Sequence, residues 1–97
     1  MTTVIVRHRV ADFEAWSTVF AEHGTVRTSH GVTATDVLRT AGDADEVTIV
    51  MQYPNVDQAR AFLGDPSLKE AMGRAGVVGE PDIRVLEAAT VANGAGA

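Results

Sequence analysis

A histidine near the start of the chain is the residue best suited to proton chemistry. His8 lies in an alternating segment that places it on the same side as Val4, Val6 and Val10. An imidazole has an ordinary pKa of about 6.5, so it can accept or donate a proton at neutral pH. An apolar setting is as typical of a ligand pocket as of a core. The sequence therefore leaves two interpretations, an acid/base residue in a pocket or a core histidine bonded to a backbone carbonyl.

Two further charged residues are predicted to face the same space. Asp36, in the second alternating segment, is assigned to the same face as His8 and is the second catalytic candidate. A buried carboxylate needs a partner, so Asp36 either serves His8 or a substrate hydroxyl, or lies toward an edge against Arg27 or water. Arg27 falls on the apolar stripe of the first helical segment. Its guanidinium either binds a ligand oxyanion or extends along the core to the edge.

Large apolar side chains would form the wall of such a site. Trp16 and Phe20 recur at helical spacing, and Phe62 and Met72 lie on the later helical segments. All four suit a core as well as a ligand platform. Tyr53 ends a strand before a proline, where its hydroxyl could donate a proton at a pocket mouth or reach water while the ring packs.

Metal, thiol and cofactor chemistry find no support in the residue pattern. The chain has no cysteine, which excludes disulfides, thiolate metal sites and a thiol nucleophile. His23 and His30 are seven residues apart on one helical segment, too far to bind one ion together, and are interpreted as surface residues. The glycines of GRAGVVGEP neither follow a strand nor open a helix, so they predict a turn rather than a phosphate cradle. We expect no metal and no cofactor.

Length and charge restrict the class of protein. A chain of 97 residues with 45% hydrophobic and 22% charged residues is predicted to fold as one small domain. The net charge of −5 and the scattered basic residues argue against a nucleic-acid partner. Arg7 and Arg9 interrupt the N-terminal apolar segment, and no apolar run approaches the roughly 20 residues of a membrane span. We expect a cytoplasmic protein without membrane contact.

Apolar periodicity predicts the element order β-α-β-β-α-β. Strands are predicted over 3–10, 32–40, 47–53 and 82–88, with a loop over 41–46. A first helix is predicted over 12–29, followed by Gly31. Asn55 and then Asp65 with Pro66 are predicted to begin the two parts of a second helix, which ends at Gly76. This order indicates an α+β, ferredoxin-like domain over 1–89, with a disordered tail over 90–97.

Strand alternation divides the sheet residues between two faces. The apolar residues predicted to lie under the helices are Val4, Val6, Val10, Val32, Ala34, Leu38, Val47, Ile49, Met51, Ile83 and Val85, which share that face with His8, Asp36, Tyr53 and Glu87. The other face is predicted to carry Ile5, Val37, Val50 and Leu86, surrounded by Arg7, Arg9, Arg39, Gln52 and Arg84. An apolar centre with a charged rim is typical of a subunit interface, so we predict a homodimer packed sheet to sheet.

The pattern resembles the dimeric α+β barrel superfamily. The resemblance is carried by VRHRVADFEAW, by the spacing from Arg27 to Gly31, and by ARAFLGDPSLKEAMGRAGVVGEP, and it covers nearly the whole chain except the tail. The chain is most similar to small bacterial members described as antibiotic biosynthesis monooxygenase-like, cyclase-like or stress-responsive proteins. Membership implies a dimeric barrel, but the superfamily includes cofactor-free oxygenases, polyketide cyclases, isomerases, haem-degrading enzymes and members without demonstrated activity.

Two of these activities do not fit the residues present. Aligned on Pro66, the catalytic Tyr and His of a plant polyketide cyclase correspond to Phe62 and Leu68, which cannot transfer a proton. Haem-degrading members use a second-helix histidine, and this chain has none after His30.

Two hypotheses remain for the function. The first is a cofactor-independent cyclase, isomerase or monooxygenase that binds an apolar aromatic or polyketide-like molecule and uses His8 for proton transfer. The alternative is a non-catalytic dimeric ligand-binding or stress-related protein. A cavity of a few hundred Å³ beside His8 would favour the first, and a filled core would favour the second.

Overall fold

The computed structural model describes residues 1–90, and the sheet has the predicted ferredoxin-like arrangement. Its strands are β1 (Thr2–Val10), β2 (Ala34–Thr40), β3 (Asp43–Tyr53) and β4 (Val77–Glu87). They form one antiparallel sheet in the order β2-β3-β1-β4. The helices are α1 (Phe13–Glu22), α2 (Gly24–Ser29), α3 (Val56–Leu63) and α4 (Pro66–Arg74). Of the predicted tail, 91–97 lies outside the described residues.

Side-chain caps begin three of the helices at the predicted positions. The carboxylate of Asp12 accepts a hydrogen bond from Glu14 N at the start of α1, and Asn55 accepts one from Gln58 N at the start of α3. Asp65 accepts a hydrogen bond from Ser67 N, and Pro66 occupies the first turn of α4. Each cap satisfies a backbone amide that has no partner within the helix.

The first helix differs from the single element predicted over 12–29. It divides at His23, which ends α1 and precedes α2. Gly24 follows at once, and a Cβ at this position would lie 3.3 Å from Arg27 Nη2. Gly24 therefore allows the guanidinium of Arg27 to pack close to the helix backbone.

Two strands are longer than predicted. β3 begins at Asp43, so the predicted loop over 41–46 is a tight turn around Gly42, whose φ is +83°. β4 begins at Val77, because 77–78 pair with the end of β1 and do not form part of a turn. Between these two regions of pairing, the register of β4 shifts opposite His8. The shift places Gly79, with φ +75°, in a bulge.

The core lies between the helices and the central strands. Alternate residues of β1 and β3 are buried beneath the helices, including Val4, Val6, Val47, Ile49 and Met51. The side-chain period of two puts the intervening residues on the open face of the sheet. Within the described residues, no helix is long and apolar enough to cross a bilayer.

The register of β2 corrects the predicted faces. Val37 pairs with Ile49 and Thr35 with Met51, so these β2 residues lie on the helix side. Asp36 pairs with Val50 and Leu38 with Thr48, which puts them on the open face. The predicted assignment of β2, including Ala34 and Arg39, is therefore wrong by one residue, and such an offset reverses every side chain of a strand.

Candidate functional site

A small cavity lies between the helices and the central strands. Its volume is about 40 Å³, enough for water but well below that of a typical ligand pocket. The predicted site residues on its wall are His8, Trp16, Phe20, Arg27, Phe62 and Met72. The remaining wall residues are Val6, Val19, His23, Ile49, Met51, Leu68, Ala71 and Ala75.

His8 reaches this cavity from the centre of the sheet. It pairs with Val47 across β1 and β3, and it is only 5% exposed. Its ring meets Trp16 edge to face, with 5.7 Å between centroids. Among residues 1–90, neither Nδ1 nor Nε2 has a hydrogen-bond partner.

The missing hydrogen bonds of His8 lower the stability of the folded protein. A buried polar group without a hydrogen bond costs about 1–3 kcal/mol of stability. Burial also lowers the pKa of His8, so the ring is neutral at pH 7 and one nitrogen can accept a proton. A partner for the ring, whether water or a ligand hydroxyl, would have to lie in the cavity that His8 lines.

Three aromatic rings on α1 form a continuous stack along the cavity. Phe13 stacks on Trp16 with 5.6 Å between centroids, and Trp16 stacks on Phe20 with 4.8 Å. The guanidinium of Arg39 lies 3.7 Å from the Phe13 ring centre, and that of Arg27 lies 3.6 Å from the centre of Phe20. Cation–π contacts of this kind contribute about 0.5–2 kcal/mol each. The stack holds Trp16 and Phe20 in fixed positions on the wall.

Arg27 is buried, and only a small part of the residue is exposed. The residue is 8% exposed, and Nη1 donates a 2.9 Å hydrogen bond to the carbonyl of Phe20. Burial lowers the pKa of Arg27, yet a guanidinium stays protonated in proteins. The cavity therefore has a positive charge on one side and neutral His8 on another.

His23 is a cavity residue that the sequence analysis missed. It was predicted at the surface, but it is buried and Nε2 lies 3.0 Å from Ser67 Oγ. Burial lowers the pKa of His23, with a further contribution from the charge of Arg27. The glycine that follows His23 could have indicated the break in the helix that turns this side chain inward.

His30 was also predicted at the surface, but it is only partly exposed. Its Nε2 lies 2.8 Å from Asp65 Oδ2. This hydrogen bond, together with those from the side chain and backbone of Ser67, lowers the pKa of Asp65 to about 2. The pair connects the end of α2 to the start of α4. No group of three His, Cys, Asp or Glu side chains within residues 1–90 could hold a metal ion.

Two of the predicted site residues do not reach the cavity. Asp36 is exposed on the open face of the sheet, because the register of β2 turns it away from His8. Tyr53 is fully buried and its hydroxyl donates to Met51 Sδ at 3.8 Å, so the predicted contact with water is wrong. Burial raises the pKa of Tyr53 to about 12, which makes this hydroxyl a poor proton donor. Its ring instead stacks on Phe62 with 5.8 Å between centroids.

Comparison with known proteins identifies the fold. No protein-family model matches the sequence, and no curated protein matches it. Among solved structures, the chain is similar to SnoaB, a cofactor-independent oxygenase from Streptomyces nogalater, with 15% identity, 96% and 97% coverage of the two chains and a TM-score of 0.76. A candidate antibiotic biosynthesis monooxygenase from Caulobacter crescentus is 18% identical, with 92% and 90% coverage and a TM-score of 0.74. Another from Bordetella bronchiseptica is 13% identical, with 92% and 97% coverage and a TM-score of 0.75.

The chain thus has the ferredoxin-like α+β fold of antibiotic biosynthesis monooxygenase-like proteins. The resemblance seen in the sequence is confirmed at the level of the fold. At these identities a shared fold does not define a shared reaction. The activity must be argued from the cavity.

Proposed function

We propose that this protein is a cofactor-independent monooxygenase acting on a small hydroxylated aromatic molecule, with His8 as the proton acceptor. The observation that carries the proposal is the buried imidazole of His8, unpaired within residues 1–90, on the wall of an apolar cavity. A phenolic hydroxyl in that cavity would supply the missing hydrogen bond. The fold shared with a cofactor-independent oxygenase supports the same class of reaction.

The reaction requires only the substrate and molecular oxygen. His8 takes the hydroxyl proton of the phenol, and the electron-rich phenolate then reacts directly with oxygen at a ring C–H carbon. His8 returns its proton to the peroxide that forms, and the resulting hydroperoxide loses water to give a quinone. One oxygen atom enters the product and the other leaves as water, so oxygen accepts the four electrons that the ring loses.

The stacked wall suits an aromatic substrate. Trp16 and Phe20 present apolar ring surface to the cavity, and Phe62 and Met72 lie on its wall. Their contacts orient a planar ring and exclude bulk water from the phenolate. The roles proposed for Asp36 and Tyr53 in the sequence analysis are not retained, since neither side chain lines the cavity.

The small volume of the cavity favours a second candidate function. At about 40 Å³ the cavity must open before it can admit an aromatic ring. A non-catalytic dimeric binding or stress-related protein needs no enclosed reaction space. Oxygen consumption separates this candidate from the first.

We also propose a homodimer that covers the open face of the sheet. The corrected register puts Leu38 on this face beside Ile5, Val50 and Leu86, in place of Val37. Leu38 is 54% exposed and Leu86 is 43% exposed. Exposed apolar residues surrounded by charged ones are typical of a surface that a partner covers.

Oxygen uptake tests the proposed reaction. The purified protein is assayed with hydroquinones, naphthols and hydroxyanthrones under ¹⁸O₂, with product labelling measured by mass spectrometry. We expect turnover with one labelled atom in the product, and a His8→Phe protein slower by about 10²–10⁴-fold. His30→Gln, which changes a histidine outside the cavity, is the matched control. Binding without oxygen uptake would favour the second candidate, and equal turnover by His8→Phe would exclude His8 as the base.

A further inference from the structure

A buried cation without a carboxylate partner lies on the wall of the cavity. Arg27 is 8% exposed, and its one side-chain hydrogen bond within residues 1–90 is to the Phe20 carbonyl. None of the ion pairs among these residues includes it. Burial of a guanidinium is costly unless an anion or several acceptors compensate. The ring of Phe20 compensates only in part.

Arg27 also lies where two spaces meet. It lines the inner cavity and, on its other side, an open groove of about 660 Å³ beside α2. Its wall carries the hydroxyl groups of Thr25, Thr28 and Thr35 among apolar surface.

His8 and Arg27 are placed to contact different parts of one ligand. Two aromatic rings of the stack separate them: Trp16 meets His8, and Phe20 meets Arg27. A ligand hydroxyl at His8 would therefore lie at one end of the molecule. The group that meets Arg27 would lie at the other end, toward the groove.

We propose that Arg27 binds a carboxylate of the substrate, so that the substrate class is a hydroxylated aromatic acid. Once the cavity has opened, the apolar ring occupies it with the hydroxyl at His8, and the carboxylate lies beside Arg27 on the side of the groove. The planar guanidinium matches a carboxylate through two parallel hydrogen bonds. This inference rests on the proposed function, because it assumes that the ring occupies the cavity.

Ligands with and without a free carboxylate test whether the protein recognises this group. Binding of 6-hydroxy-2-naphthoic acid, of its methyl ester and of 2-naphthol is measured by titration calorimetry. Loss of a hydrogen bond to a charged group weakens affinity by about 10- to 100-fold. We expect the acid to bind more tightly than the ester and naphthol by that factor.

Variants of the protein test whether Arg27 causes the difference in affinity between the acid and the ester. Arg27→Met retains most of the side-chain length and removes the charge, so it should abolish the preference for the acid over the ester. Arg39→Met is the matched control, because it removes the guanidinium at the other end of the same aromatic stack. If Arg27→Met does not fold, Gly24→Ala replaces it. The added methyl group would lie 3.3 Å from Arg27 Nη2, so the guanidinium must shift slightly and the preference for the acid should weaken.

The outcomes separate this inference from the proposed function. Equal affinity for acid and ester in the unmodified protein, or an Arg27→Met change that affects both equally, overturns the carboxylate site alone. Binding of none of the three probes overturns both proposals. A preference for the acid that Arg39→Met retains and Arg27→Met loses supports the site.

Discussion

Replacement of His8 by Phe should stabilise the protein while it removes the activity. Neither ring nitrogen has a partner in residues 1–90, so the change leaves no protein donor or acceptor unpaired. An unmade hydrogen bond of a buried group costs about 1–3 kcal/mol, and a water in the cavity would recover part of it, so we expect a gain of about 1 kcal/mol. For a domain of this size, about 1 kcal/mol raises Tm by about 4–8 °C. The additional atoms of Phe can enter the adjoining cavity of about 40 Å³.

The gain should depend on pH. Burial lowers the pKa of His8 in the folded protein below the value of about 6.5 in the unfolded chain. As the pH falls below 6.5, the unfolded chain therefore binds a proton that the folded protein excludes, and the unmodified protein loses stability. His8→Phe lacks this effect, so the difference in Tm should widen between pH 7.5 and pH 5.5. The lowered pKa of His23 acts in both proteins and cancels in the difference.

Thermal denaturation followed by circular dichroism measures both effects. His8→Leu controls for overpacking, because it removes the nitrogens without adding a larger ring. A fall of several degrees in Tm for both variants at pH 7.5 would refute the reasoning, since it would show that His8 makes a stabilising interaction. A difference in Tm that is constant with pH would refute the depressed pKa.

Three further predictions concern the proposed interface, the hydrogen bond between His30 and Asp65, and a turn. If the proposed homodimer forms, Leu38→Asp should convert it to a monomer in sedimentation velocity, whereas Val37→Asp should not. The reverse result would contradict the corrected register. The pKa of Asp65 is lowered to about 2, so the stability that its carboxylate contributes above about pH 4 is lost as the pH falls toward 2. Asp65→Asn retains the helix cap and should therefore show a smaller fall in Tm over that pH range. An equal fall in Tm would contradict the lowered pKa of Asp65. Gly31 has φ +92°, and a Cβ there would collide with Gln58 Nε2. Gly31→Ala should therefore lower the free energy of unfolding, measured by urea denaturation, by about 1–3 kcal/mol. An unchanged free energy of unfolding would contradict the described turn.

The order of elements along the chain and the buried face of β1 could be predicted because their hydrophobic patterns are unambiguous. Val4, Val6 and Val10 share one side of β1, which indicates the buried face and places His8 with them. β2 offers no such contrast, since both alternate sets of its residues contain apolar and polar side chains. Its register is set by the tight turn at Gly42 and by the extension of β3 to Asp43, and neither appears in the hydrophobic pattern. Asp36 was misplaced for this reason.

The placement of His23 depends on a single break in a helix. A continuous helix over 12–29 gives His23 a different direction from the one that it takes when α1 ends there. Gly24 follows this break, but the direction of the kink depends on packing against α3 and α4. The same packing decides that Arg27 is buried and that Tyr53 does not reach the cavity.

The edge-to-face contact between His8 and Trp16 gives the site an internal optical reporter. Trp16 is the only tryptophan in the sequence, so all indole emission comes from the cavity wall. A protonated imidazole in contact with an indole quenches its fluorescence, whereas the neutral ring quenches it much less. Emission should therefore fall as His8 takes up a proton, and the midpoint of that change reads the His8 pKa without any label. A phenol that hydrogen-bonds to the ring would move the midpoint, so ligand binding and proton uptake can be followed in the same fluorescence experiment.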